Sequence, residues 1–406
     1  MATIRPFQAL RPSPEAAARV SSVPYDVVST EEARAMAAGN PLSFLHVTRP
    51  EIDLPAGTDI HSDPVYAQGV RAFEELRRAA PLTQDPEPAF YFYRLRAGDH
   101  EQTGLAACYS IDEYEQGLIK KHELTRRDKE DDRTRHMVDL RAQTGLVFLT
   151  YRASTEVDEI ARRVCTAPPL YDFTAEDGVA HTVWRAAGED AAALAESFER
   201  VPELYIADGH HRAASSARAR AALRQETGGA GELDTVLAVA FPDNQVRILP
   251  YNRTVKDLAG RSAAEFLEAV RAKLPLRPGG PAPARKGAAS MYLAGSWYTL
   301  DLGAARPEGA SRIDQLDVSI LQRTILEDLL GIGDVRSDPR IDFIGGARGT
   351  EALKKAVDGG RAAVAFSMFP VTVDDLMAIS DAGGIMPPKS TWFEPKLRDG
   401  LLVHLI

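Results

Sequence analysis

The segment Tyr205-Ile-Ala-Asp-Gly-His-His-Arg212 carries a short apolar run into Asp208 and Gly209, and a helical pattern follows. Gly209 lets the backbone turn tightly and approach a ligand closely. A helix that opens there presents N–H groups and the positive end of its dipole. His210, His211 and Arg212 add donors and charge at the same place, which suits a phosphate or a carboxylate. Asp-Gly alone also makes an ordinary turn with the Asp as a cap. The two adjacent histidines and the arginine set this segment apart.

A second segment, Lys121 to His136, places Glu123 beside His122, with Arg126, Lys129 and Arg133 at helical spacing. One reading is a solvated helix face laced with salt bridges. The other is a carboxylate base, Glu123, flanked by groups that neutralise phosphate. Zinc-protease chemistry is excluded because position 126, where His-Glu-x-x-His needs its second His, is Arg. A third segment, Met386-Pro-Pro-Lys-Ser-Thr391, offers an ammonium and two hydroxyls in a row at Lys389, Ser390 and Thr391. Such a trio cradles phosphate or helps to ligate a phosphate-bound Mg²⁺; it also reads as a buried turn. No Gly-x-x-x-x-Gly precedes Lys389, so this is not a Walker loop. Pro24-Tyr-Asp26 reads as a turn with a carboxylate. Asn40 to His46 reads as a turn into a strand, with His46 a core residue.

The elements that must position these groups alternate irregularly. Strand-like runs fall at 90–95, 104–109, 145–151, 203–207, 235–241, 246–251, 290–293, 341–344, 362–366 and 401–405. Helical patterns fall at 64–79, 124–142, 155–164, 190–199, 210–225, 263–273, 318–329 and 373–381. The expected fold class is α+β (mixed α/β). Gly228–Glu232 and the Pro/Gly-rich 274–287 read as boundaries. They suggest parts at 1–145, with the Pro-Tyr-Asp and His-Glu motifs, at 146–275, with Asp-Gly-His-His-Arg, and at 288–406, with Met-Pro-Pro-Lys-Ser-Thr.

With 406 residues, 44% apolar and 26% charged, the chain has the composition of an ordinary globular protein. Its net charge of −10 argues against a coat for nucleic acid or for an anionic membrane. The longest apolar runs fall far short of the ~20 residues that span a bilayer. The two cysteines exclude a disulfide scaffold. The opening sequence lacks the apolar run of a signal peptide, so a cytoplasmic protein without nucleic-acid or membrane partners is expected. Five of the ten lysines (Lys120, Lys121, Lys129, Lys389 and Lys396) lie in or beside the three motif segments. An acidic chain that gathers its cations at such motifs fits a small-phosphate site.

Arg5-Pro-Phe-Gln-Ala-Leu-Arg11-Pro, Pro24-Tyr-Asp-Val27, His122-Glu123, Ile206-Ala-Asp-Gly-His-His-Arg212 and Met386-Pro-Pro-Lys-Ser-Thr-x-Phe-x-Pro-Lys396 together resemble a bacterial family catalogued as domain of unknown function 1015. The Gly-His-His-Arg turn is similar to the phosphate-binding turn of the ParB/sulfiredoxin-like fold, which includes free serine kinases. The resemblance implies a ParB-like phosphate-binding core with additional α/β elements. It implies transfer of a phosphoryl group from pyrophosphate, ADP or ATP to L-serine, with Mg²⁺. Asp208 to Arg212 would be the phosphate grip, and Lys389 to Thr391 a second contact. Lys396 stands in the same motif. The base would be Glu123 first, then Asp26 or Asp208. A phosphatase or other phosphotransferase, or a nucleotide-dependent regulatory module, is the alternative on the same scaffold.

Overall fold

In the computed structural model, residues 2–79, 82–227 and 231–406 are described. They form two compact units, Met1–Val246 with Pro395–Ile406, and Arg247–Glu394. Residues 228–230 of the expected Gly-rich turn lie outside the described residues. The architecture is mixed α+β, as expected.

The first unit is built on a sheet of nine strands among the described residues. Its order is Ile119–Lys120, Leu204–Asp208, Val147–Tyr151, Thr235–Pro242, His100–Ser110, Phe90–Ala97, Ala180–Ala186 and Tyr171–Thr174, with Ile4–Arg5 added beside His100–Ser110. Thr235–Pro242 is buried at every residue. It runs parallel to Val147–Tyr151 and antiparallel to His100–Ser110. Such a strand, covered on both faces, reads as a continuous apolar run rather than an alternation. Strands from both sides of residue 145 share this sheet, so the division expected there does not separate two compact units.

Helix Thr155–Val164 buries Val157, Ile160 and Val164, a helical stripe that joins the sheet core with Leu194 and Phe198 of helix Glu189–Glu199. Helix Arg127–Leu140 packs on helix His210–Thr227. The first of these starts three residues later than expected. Its N-cap, Arg126, has an extended backbone and gives its N–H to His211 Nε2 at 3.0 Å. His122, Glu123 and Arg126 therefore sit on the approach to the helix and not on its face. The Asn40–His46 stretch likewise leads into a short helix, Leu45–Thr48, rather than a strand. His46 there pairs with Asp53 at 2.9 Å and is partly exposed.

The second unit holds a six-stranded antiparallel sheet in the order Leu276–Pro278, Ser296–Asp301, Ala288–Leu293, Val364–Met368, Tyr251–Val255 and Ile341–Gly345. The Pro/Gly-rich 274–287 stretch lies inside this unit, as one of its strands and the loop after it.

Pro395–Ile406 belongs to the first unit. His404–Leu405 pairs with Ala142–Gln143, Val403 bridges Leu10, and Asp399 bridges Ser22. Gly400 makes this return possible. Its φ is +88°, and a Cβ there would lie 2.7 Å from Phe44 Cγ. Gly400→Ala is expected to cost about 2–4 kcal/mol, from left-handed strain plus overpacking. Gly98→Ala, at φ +61° in open space, should cost only about 1 kcal/mol. Urea midpoints of the two variants check this, and equal losses would contradict the packing at Phe44.

Candidate functional site

Leu204–Asp208 ends at Gly209, whose φ of +91° turns the chain into helix His210–Thr227. Two residues into the helix, the Arg212 side chain folds back across that turn. A Cβ on Gly209 would lie 3.0 Å from Arg212 Cζ, and one on Gly145 would lie 3.0 Å from Arg212 Cδ. A side chain at either position would press on Arg212, on its guanidinium from 209 and on its methylene stem from 145.

Arg212 is 3% exposed and its guanidinium meets carboxylates from distant segments. Asp208 Oδ2 lies at 3.2 Å and Asp26 Oδ2, on the turn Tyr25–Val27, at 3.5 Å. The carbonyl oxygen of Leu146 accepts from Nη1, and buried Asp399 acts on the same group. These partners hold the guanidinium above its usual value against burial. Arg212 therefore organises carboxylates in this structure and is not open to solvent. Burial opposes the charge on Asp208 too, but Lys396, at 3.3 Å, and Arg212 hold its carboxyl well below the usual range.

The histidines are neutral at pH 7, which changes their expected part in the site. Burial drives His210 well below its usual value and His122 down to about 4. Their rings meet edge to face at 4.4 Å, and the His122 N–H donates to His210 Nε2 at 3.3 Å. His211 is lowered as well, chiefly by burial. They offer dipoles and ring nitrogens, not added positive charge. Glu123 stands 51% exposed, with Oε2 at 3.9 Å from His210 Nδ1.

The basic residues expected around Glu123 divide. Arg126 is 70% exposed and bonds Asp128 at 2.7 Å. Lys129 and Arg133 line a cleft with Tyr25, Arg49, Glu51 and Asp132. Arg133 lies over the Tyr25 ring at 4.2 Å and pairs with Asp132 at 2.8 Å. Tyr66 donates to the other Asp132 oxygen at 2.9 Å. Elsewhere on the two packed helices the salt-bridge reading holds: Arg218 pairs with Glu130 and Asp131, and Arg135 with Asp63.

The first unit thus brings together Asp26, His122, Glu123, Asp208, Gly209, His210, His211, Arg212 and Lys396, with Arg126, Lys129 and Arg133 alongside. Lys389, Ser390 and Thr391 belong to the second unit. There Lys389 has φ +55° and its ammonium sits 5.4 Å from the Tyr251 ring centre, while the Ser390 hydroxyl donates to the Pro387 carbonyl.

Sequence reasoning missed Asp399 and Arg398. The Arg398 N–H donates to the Tyr93 hydroxyl at 3.3 Å, its Nε lies 3.2 Å from His181 Nε2, and it pairs with Asp177. Burial lowers the His181 ring to about 3, so it takes part as a neutral group. The available signal was an Arg-Asp pair directly before an apolar terminal run, where charge is costly unless it is paired.

Magnesium takes oxygen ligands, commonly one or two carboxylates with the rest from phosphate and water. Asp26, part-exposed beside Arg212, and the exposed Glu123 have that donor chemistry, so the residues present fit the ion.

A strand–glycine–helix turn with paired carboxylates and cations around it is the candidate site of this α+β protein. The chain belongs to DUF1015, a family described as a protein of unknown function, which it matches over residues 4–319. That match ends before the Met386–Lys396 motif. No curated protein matches the chain. Among solved structures it is similar to SbnI with a C-terminal truncation from Staphylococcus aureus, at 12% identity over 73% of this chain and 86% of that one, with a TM-score of 0.39. It is also similar to a conserved hypothetical protein from Pyrococcus furiosus, at 14% identity over 74% and 95%, with a TM-score of 0.35. A free serine kinase in complex with AMP gives 12% identity over 73% and 91%, and a TM-score of 0.35.

Burial pushes the Asp399 carboxyl up to about 7, with Arg212 pulling the other way. The folded protein therefore holds this proton more tightly than the unfolded chain. Asp399 favours the fold fully below about pH 4, and that contribution is lost as the pH rises through about 7. The stability of the wild type relative to Asp399→Asn should thus fall by about 2–4 kcal/mol between pH 4 and pH 8. Denaturant titrations of both proteins across that range check it, and a constant difference would contradict the burial of this carboxyl.

Proposed function

We propose that this protein is a small-molecule kinase that transfers a phosphoryl group to the hydroxyl of free L-serine, giving O-phosphoserine. The observation that carries the reading is the turn Asp208–Arg212. There a glycine at φ +91° opens an 18-residue helix amid Asp26, Glu123 and Lys396. The motif resemblance of the same residues to serine-kinase phosphate turns supports it.

The donor is pyrophosphate, ADP or ATP, bound with Mg²⁺. Its phosphates would lie against the first-turn N–H groups of the helix, with Arg126 and Lys129 on the solvent side. Asp26 is the carboxylate that would hold the ion, which would supply charge neutralisation to the phosphates. Phosphoryl transfer asks mainly for alignment and charge stabilisation, and these groups offer both. In the neighbouring cleft Arg49 pairs with Glu51 at 2.9 Å and Arg133 with Asp132 at 2.8 Å, so an amino acid's carboxylate and ammonium would bind there by exchanging with those pairs.

The serine hydroxyl needs a carboxylate to accept its proton as the new P–O bond forms and the donor's bridging oxygen departs. Glu123 is the first candidate for the base. It is exposed and stands beside a neutral imidazole. Asp208 is the weakest of the three expected bases, because Lys396 and Arg212 already stabilise its charge. Arg212 serves the reaction by fixing Asp26 and Asp208.

Incubation with L-serine, Mg²⁺ and each donor in turn, followed by ³¹P NMR, should yield phosphoserine with at least one donor. No phosphoserine with any of them refutes the assignment, and phosphate release from phosphoserine would favour a phosphatase. Glu123→Gln should lower kcat by roughly 100-fold or more; near-normal turnover would move the base to Asp26. Arg212→Ala should abolish turnover, because it leaves buried carboxylates without their counter-ion. A variant within about twofold of wild type would reject the site.

A further inference from the structure

Away from that site, three chemically distinct metal-binding side chains come together from chain positions far apart. Cys108 is buried on the strand His100–Ser110. His404 is buried on the short strand His404–Leu405, with its ring against the edge of Phe7 at 5.8 Å. Glu232 opens the turn Glu232–Asp234 and is exposed, with Oε2 at 2.7 Å from His404 Nε2. One ligand atom from each of the three lies within 4.8 Å of the others. It is the only such group of three among the described residues.

We propose that Cys108, Glu232 and His404 form a zinc site that fastens the C-terminal segment to the central sheet. A thiolate, an imidazole and a carboxylate are the ligand types zinc takes, and three of them leave a fourth tetrahedral position for water. Magnesium and calcium prefer all-oxygen ligands, so this set discriminates against the ion expected at the kinase site. Zinc–ligand bonds of about 2.0–2.3 Å place neighbouring ligand atoms roughly 3.5 Å apart. Ligand atoms that lie within 4.8 Å of one another reach that spacing by a small contraction and a swing of the exposed Glu232 away from its hydrogen bond.

Glu232 gives the ion its way in from solvent, and the two buried ligands then close around it. The ion would tie residue 404 to residues 108 and 232. The tied segment is the one that returns Lys396 and Asp399 to the first unit. A metal that binds only the folded arrangement stabilises the fold by mass action.

The full-length protein, stripped with a chelator and titrated with Zn²⁺ against a chromophoric competitor, should take up one equivalent. Cys108→Ser and His404→Asn should each weaken that uptake by roughly 100-fold or more, and Glu232→Ala by at least about 10-fold. Cys165→Ser should leave it unchanged. Co²⁺ in place of zinc should show a thiolate charge-transfer band that Cys108→Ser removes. Zinc should also raise the melting temperature of the wild type, and raise that of Glu232→Ala less at the same zinc concentration. This exposed change keeps the test usable if the buried variants fail to fold. No zinc uptake by the wild type overturns the proposal, as does uptake unchanged in Glu232→Ala or His404→Asn. All these readouts are independent of kinase activity, so the two proposals fail separately.

Discussion

The buried guanidinium of Arg212 is the constraint around which the first unit is arranged. Taking a cation out of water costs several kcal/mol, and the cost is met only if counter-charges and acceptors surround it. Here they come from four separate stretches: Asp26 near the start, the Leu146 carbonyl, Asp208 four residues earlier, and Asp399 near the end. The glycines at 145 and 209 exist in this environment because any Cβ would press on the Arg212 side chain. Glycine at 209 therefore does more than relieve backbone strain, since its missing side chain is the space that the arginine occupies. An ion cluster of this kind also binds chain ends to the middle, which sheet pairing alone does only through two-residue strands and single bridges.

The same cluster sorts the ionisable groups. Two cations beside Asp208 keep it charged, while burial pushes Asp399 up to about 7, with Asp26 adding to the rise. Burial leaves the His122–His210 pair neutral beside them. Within a few residues the protein thus holds a committed carboxylate, a proton that titrates near neutrality and two uncharged imidazoles. Carboxylates that differ in this way can take different roles in one reaction, since the environment and not the residue type sets which one holds a proton.

Much of the fold was legible from periodicity. Thr155–Val164, Ala263–Lys273 and Val373–Asp381 are the helices the sequence pattern predicts, residue for residue, because each carries an uninterrupted apolar stripe. Strands were legible where they are buried on both faces, as at Thr235–Pro242. Ala180–Ala186 and Tyr171–Thr174 were not, since His, Thr, Arg and Asp interrupt them; they pair with each other as a hairpin, and only Ala180–Ala186 has a distant partner, Phe90–Ala97. The short N-terminal helices Pro14–Val20 and Thr30–Ala37 carry too few turns for a period to stand out. Val318–Leu329 reads as one helix but changes from α to π geometry at Gln322, which side-chain period does not report.

The site was legible as a set of residues and not as an arrangement. Spacing within one segment located Asp208 to Arg212 and the turn they make. Nothing local in sequence says that Arg212 points back onto its own turn, because that depends on Gly145, 67 positions earlier, and on Asp26 and Asp399. The charge on His210 and His211 was likewise a matter of burial, and burial is decided by what packs on the helix. Lys396 shows the same limit from the other side. It was noticed for its motif, and its neighbour by three positions, Asp399, was not. Yet the two are mirror images in physical terms: one compensates a buried carboxylate and the other needs compensation from a buried cation. A lysine, an arginine and three carboxylates converging on one turn form a network in which each charge is tolerable only because the others are present.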